Sequence, residues 1–274
     1  MPTIDVHGVT ISYSDTGVPA GLPDAPTIVF GHGLLFGGWM FRSQITALRE
    51  RYRCVAVDWR GQGDTPAAAD GYDMDTLTGD AVALIRELGV APVHWVGLSM
   101  GGFVGQRIAA RHGELLRSLT LLDTSAGAEE QSKVREYKQL ALLLCLFGIR
   151  PILGKVSSHM FGPAFLADTA SVATIDEWVG RLSRNKRAAI RKAVLGVVSR
   201  ASVEREITGI TVPTLVVVGA DDRATPVEKS EHIAARIPGA QLQIVANCGH
   251  SSSLEQPATI TSLLAKFLAT ADRP

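Results

Sequence analysis

The chain has 274 residues, 46% of them hydrophobic and 20% charged, which is enough apolar material for a sizeable core and excludes a disordered or collagen-like polypeptide. Lys plus Arg and Asp plus Glu balance at 27 each, so no basic footprint for nucleic acid or an anionic membrane is expected, and a small, weakly charged partner is. Three cysteines, Cys54, Cys145 and Cys248, fall far apart with no CxxC or Cys/His spacing; they read as reduced thiols, with no metal site and no disulfide framework. The first residues show no basic stretch followed by an apolar one, and the most apolar run, 140–149, is about half of the roughly 20 residues a membrane span needs. The expectation is a cytoplasmic protein without a membrane span.

In chain order, "TIDV" and "VTISYSD" flank His7-Gly8 as two strands of a hairpin. From "APTIVFGHG" onward, short β-branched runs ("TIVF", "RCVAVD", "VHWVG", "SLTLLD") alternate with helical patterns ("RSQITALRER", "MDTLTGDAVALIRELG", "MGGFVGQRIAARHG"). Continuous apolar runs separated by helices predict an α/β fold, a doubly wound and mostly parallel sheet covered on both faces. The alternation stops after Asp123. The segment 125–202 reads almost wholly helical, through "VREYKQLALLLCLFGI", "ATIDEWVGRLSR" and "KRAAIRKAVLGVVSRA". The rhythm resumes with "VPTLVVVGADD", "PVEKSEHIAARIPG", "AQLQIVANCGH" and "PATITSLLAKFLA". We therefore expect one core domain, 1–124 and 203–274, with a helical cap, 125–202, inserted after the sixth strand.

The chemistry centres on "HWVGLSMGG", which holds Ser99 between glycines where a buried strand must turn at once into a helix. Such a turn needs residues without a Cβ nearby and lifts the hydroxyl above the sheet edge. The N–H of Met100, at the helix N-terminus, is then free to stabilise an oxyanion; an ordinary N-cap serine is the alternative. A serine hydroxyl needs a base that a carboxylate holds in one tautomer. His250, in the polar loop "NCGHSSSLEQP" after the last strand, supplies the base. Asp221 and Asp222, at the end of "VVVGADD", are both candidate acids.

Together, "GHGLL", "VDWRGQGDT", "GLSMGG", "GADDRATP" and "GHSSSLEQP" resemble the α/β-hydrolase fold superfamily, most closely its 3-oxoadipate enol-lactonase and carboxylesterase-like members, over nearly the whole chain. The resemblance implies Asp222 as the acid, with Asp123 in the position some members use instead. It implies the N–H of Leu34, in the His-Gly turn, as the second oxyanion donor beside Met100, with His32 a structural brace. The chain departs from the family's commoner pattern at Gln62, where His is usual, and this is expected to affect loop packing. The catalytic set is thus Ser99, Asp222 and His250, and no cofactor is implied. From the apolar residues of the cap and those that follow the His-Gly turn, Trp39, Phe147, Phe161 and Trp178 are assigned to substrate binding. The expected activity is hydrolysis of a small to medium, largely apolar carboxylic ester or lactone through an acyl-enzyme. The same three residues would serve C–C bond hydrolysis or cofactor-free perhydrolysis, and a non-catalytic receptor is the alternative from another class.

Overall fold

A computed structural model describes residues 1–272. Eight strands, β1 (Thr3–Val6), β2 (Val9–Asp15), β3 (Thr27–Gly31), β4 (Arg53–Val57), β5 (Val93–Leu98), β6 (Leu116–Leu122), β7 (Thr214–Gly219) and β8 (Gln241–Val245), form one sheet in the order β1-β2-β4-β3-β5-β6-β7-β8. β1 and β2 pair antiparallel with their neighbours; β4 through β8 are parallel. The leading hairpin turns at His7 (φ 49°) and Gly8 (φ 76°), two successive positive φ values of the kind that match the twist of paired strands.

The continuous apolar runs are explained by two covered faces. Every residue of β3, β5 and β7 is buried. Along β3 the side chains alternate: Val29 joins a core with Leu84 of α2 (Met74–Glu87) and Ile108 of α3 (Met100–Arg111), while Ile28 and Phe30 join a second core with Leu48 of α1 (Arg42–Leu48) and Leu264 of α11 (Pro257–Ala271). α9 (Val227–Arg236) adds Ile233 to the first core, and α10 (Ser252–Glu255) is a single short turn before α11.

The chain leaves β3 to one side for β4 and returns on the other side for β5, so the loops after β3 and β5 diverge and open a crevice at the carboxyl ends of the strands. Between β6 and β7 the helical cap contains α4 (Gln131–Phe147), α5 (Leu153–Met160), α6 (Pro163–Ala167), α7 (Val172–Arg184) and α8 (Arg187–Val198). The sequence pattern shows only α4, α7 and α8, because α5 and α6 are eight and five residues long, too short for a helical period to repeat. The cap is fastened by Trp178, whose Nε1–H donates to the Leu35 carbonyl at 3.0 Å. Its ring stacks on Phe36 and meets Phe161 edge-on, at 5.7 and 5.3 Å between centroids. Among the described residues, no helix is long and apolar enough to cross a membrane.

Candidate active site

Ser99 sits between β5 and α3 at φ 51° and ψ −108°, a strained backbone conformation for a residue with a Cβ. The surrounding contacts show what the glycines permit. A Cβ on Gly97 would lie 2.2 Å from the Gly101 carbonyl oxygen, and one on Gly101 would lie 1.9 Å from that of Gly31. Helix α3 therefore starts in direct backbone contact with β3 and β5.

Three side chains from three loops meet at this turn. Ser99 Oγ lies 2.9 Å from His250 Nε2, and His250 Nδ1 lies 2.9 Å from Asp222 Oδ2. With Nδ1–H donated to the carboxylate, Nε2 is the acceptor facing the hydroxyl. Asp222 is itself fixed: its Oδ1 accepts the N–H groups of Ala224 (2.8 Å) and Thr225 (2.9 Å), and its Oδ2 accepts the Thr225 hydroxyl (2.7 Å). All three are buried, at 9%, 4% and 5% exposure for Ser99, His250 and Asp222. Burial opposes an imidazolium at His250, but Asp222 beside it, together with Asp123 and Glu255, outweighs burial and raises its pKa above the ordinary 6.5. Asp221, by contrast, is exposed.

Asp123 is fully buried at the end of β6 and accepts the Gly219 N–H at 2.9 Å. Burial, and then the charge of Asp222, hold its carboxyl well above the usual range.

The turn after β3 is braced from below. His32 Nε2 accepts the Trp59 N–H at 3.0 Å, which leaves Nδ1–H to donate to the Gly33 carbonyl at 2.7 Å; burial pushes its pKa down to about 4, so the ring is a neutral strut. The Gly33 N–H meets Met40 Sδ, and the Leu35 N–H donates to Gln62 Oε1 at 2.8 Å. The Leu34 N–H between them has no protein partner among the described residues. Met100, as the first residue of α3, has an N–H with no acceptor within its own helix.

The sequence model of the α/β-hydrolase fold family matches residues 26–257. The chain belongs to that family. Among similar proteins, this hydrolase is 30% identical over 94% of its length to the AB hydrolase superfamily protein YisY of Bacillus subtilis (95% of that protein covered). It is 25% identical over 93% of its length to 3-oxoadipate enol-lactonase 2 of Acinetobacter baylyi (91% covered). Its structure is similar to that of the enol-lactonase from Burkholderia xenovorans LB400, with a TM-score of 0.89, 25% identity and coverage of 98% and 100% of the two chains. Other relatives carry carbamate-hydrolase and bromoperoxidase names.

Beside Ser99 and His250 the hydrolase has a cavity of about 90 Å³. Its walls are largely apolar: Leu34, Phe103, Leu140, Leu144, Val156, Met160 and Val194, with Tyr137, Glu129 and His159 as polar members. The Glu129 carboxylate is matched by Arg200 at 2.9 Å. Of the four residues assigned to substrate binding from sequence, none lines this cavity. Phe147 is the last residue of α4, past the edge of the roof and 63% exposed. Trp178 and Phe161 are buried in the seam between cap and core. Trp39 lines a separate hollow of about 590 Å³, between the guanidinium groups of Arg42 and Arg181 at 5.5 and 5.1 Å. Apolar identity marked them as inward-facing, but period alone does not say which interior an inward face meets.

Two further residues support the site, Gln62, which was expected to affect loop packing, and Glu255, which the sequence reading did not single out. Gln62 holds the turn that carries Leu34, so its effect reaches beyond packing of its own loop. Glu255, inside the quoted "GHSSSLEQP", accepts N–H groups from Gly249 (2.8 Å), Ser251 (3.0 Å) and the cap residue Gly162 (2.9 Å), clamping the His250 loop to the cap. No metal-binding group of three or more His, Cys, Asp or Glu is found among the described residues.

Proposed function

We propose that this hydrolase cleaves small, largely apolar carboxylic esters or lactones through an acyl-enzyme, with Ser99 as nucleophile, His250 as general base and acid, and Asp222 as the carboxylate that orients the imidazole. The observation that carries the reading is the continuous line from Ser99 Oγ through His250 to Asp222, 2.9 Å at each step. Ser99 Oγ attacks the acyl carbonyl as its proton passes to Nε2. The resulting oxyanion is held by the N–H groups of Leu34 and Met100, each such donor being worth about 10²–10³ in rate. Nε2–H then protonates the departing alcohol oxygen; in a lactone that alcohol stays tethered to the acyl group. Water, deprotonated by His250, repeats the attack on the acyl-enzyme and frees Ser99.

The cavity of about 90 Å³ is smaller than the roughly 150 Å³ that takes up a benzene ring, which favours a short acyl group. The enol-lactonase names of two relatives support the reaction class. The test is hydrolysis of p-nitrophenyl acetate together with labelling by a fluorophosphonate. We expect both in the parent protein and neither in Ser99→Ala; an unlabelled parent, or a variant that still turns over, would falsify the reading.

A further inference from the structure

The helix that roofs the cavity also turns an apolar face to solvent. On α4, Tyr137, Leu140, Ala141 and Leu144 line the cavity, spaced i, i+3, i+4 and i+7. Leu142, Leu143, Leu146 and Phe147, at i, i+1, i+4 and i+5, fall on another side of the helix and are 47%, 39%, 57% and 63% exposed. Four adjoining large side chains left this open are unlike the singly scattered apolar residues of an ordinary surface.

The charges around them are one-sided. The balance of the whole chain conceals an asymmetry: segment 125–202 holds twelve Lys and Arg against six Asp and Glu, a net +6, and the rest of the chain is correspondingly acidic. No acidic residue occurs in 137–167 or in 178–203. α8 packs along α4 and exposes Arg187 and Arg191, with Arg184 and Lys186 just before it. Arg187 reaches the apolar helix directly, donating to the Leu146 carbonyl at 3.2 Å. Phe147, Arg150 and Arg187 together line a hollow of about 260 Å³ at the edge of the apolar face.

We propose that this face of the cap docks the enzyme on an anionic lipid surface, with Leu142, Leu146 and Phe147 entering the headgroup boundary and the surrounding arginines meeting lipid phosphates. Apolar side chains on one face with cations beside them match the chemistry of a surface-lying helix. A second copy of the chain fits less well, because a two-fold contact on this face would set the same cluster of arginines against itself. The inference does not rest on the assignment of Ser99, since lipid binding is read without turnover.

The experiment is co-sedimentation of the whole protein with vesicles of phosphatidylcholine alone or mixed equally with phosphatidylglycerol. Binding is expected only to the mixed vesicles, with release at high salt. Arg191→Gln should weaken partitioning about fivefold. Leu142→Ser combined with Leu146→Ser should weaken it tenfold or more. Unchanged hydrolysis of a soluble ester and an unchanged melting temperature show that each variant is folded. Absence of binding by the parent protein, equal binding to phosphatidylcholine alone, or parent-like binding by either folded variant overturns the proposal. A parent protein that forms dimers lost on the leucine substitutions, and that ignores vesicles, overturns it in favour of self-association. Should the leucine variant not fold, Arg191→Gln and the salt dependence decide.

Discussion

Asp222 and Asp123 are both buried carboxylates near His250, but it is Asp222 whose Oδ2 touches the imidazole at 2.9 Å. Asp123 spends its Oδ1 on a backbone N–H and is held toward its neutral form. Asp222→Asn should therefore cost about 10³–10⁴ in kcat by presenting the wrong partner to Nδ1–H, whereas Asp123→Asn should cost less than about tenfold, and Asp221→Asn, at an exposed position, less still. Steady-state kinetics of the three variants on one ester checks the order, and a dominant loss at Asp123 would move the acid to β6. The pH profile tests the same contact from another side. His250 acts as a base only when neutral, and its pKa is raised above 6.5, so activity is lost as pH falls through that raised value. The acid limb of kcat/KM should inflect above pH 6.5 and fall to lower pH in Asp222→Asn, where the charge that favours the imidazolium is gone. An inflection that does not move would mean that Asp222 is not what sets it.

At the scale of elements, the junction of β5 with α3 shows why the turn at Ser99 was legible and its supports were not. Gly97, Ser99 and Gly101 lie within five residues, and the need for backbone contact is written in the glycines themselves. Gln62 reaches the Leu35 N–H from 27 positions away, and Glu255 reaches Gly162 from 93; nothing in the residues near either marks that partner, because the loops meet only once the sheet has formed. The cavity was illegible for a related reason: α4 is apolar on both the cavity side and the outer side, so the pattern could not separate them, and Phe147 was assigned inward. Strands β3 to β7, by contrast, were legible as short, mostly apolar runs, since both of their faces are covered. The junction supports a prediction. Gly101→Ala places a Cβ 1.9 Å from the Gly31 carbonyl, where only backbone can give way, and should destabilise the fold by about 3 kcal/mol while displacing Ser99 and abolishing turnover. Gly180→Ala, at an exposed position of α7 with nothing within 4 Å, should instead stabilise by about 0.5–1 kcal/mol. Urea titration of the pair checks the sign at each site.

At the scale of the whole molecule the proposed substrate follows from the fit of cap to core, because Leu140, Leu144, Val156 and Met160 come from the cap while Leu34, Ser99, Phe103 and His250 come from the core, and together they bound a cavity of about 90 Å³. This space is small, and it admits only a few methylenes beyond the carbonyl. Each of them adds up to about 0.8 kcal/mol of burial, or nearly fourfold in kcat/KM, until the cavity is full. Across p-nitrophenyl esters of rising acyl length, kcat/KM should climb from acetate to butyrate or valerate and then fall. Leu144→Ala should move the optimum to longer chains by opening the roof, at about 2–5 kcal/mol of stability. A series that rises without a maximum to long chains in the parent protein would mean that the cap opens to admit them, and an optimum unmoved in Leu144→Ala would place the acyl group elsewhere, the hollow beside Trp39 being the next place to look.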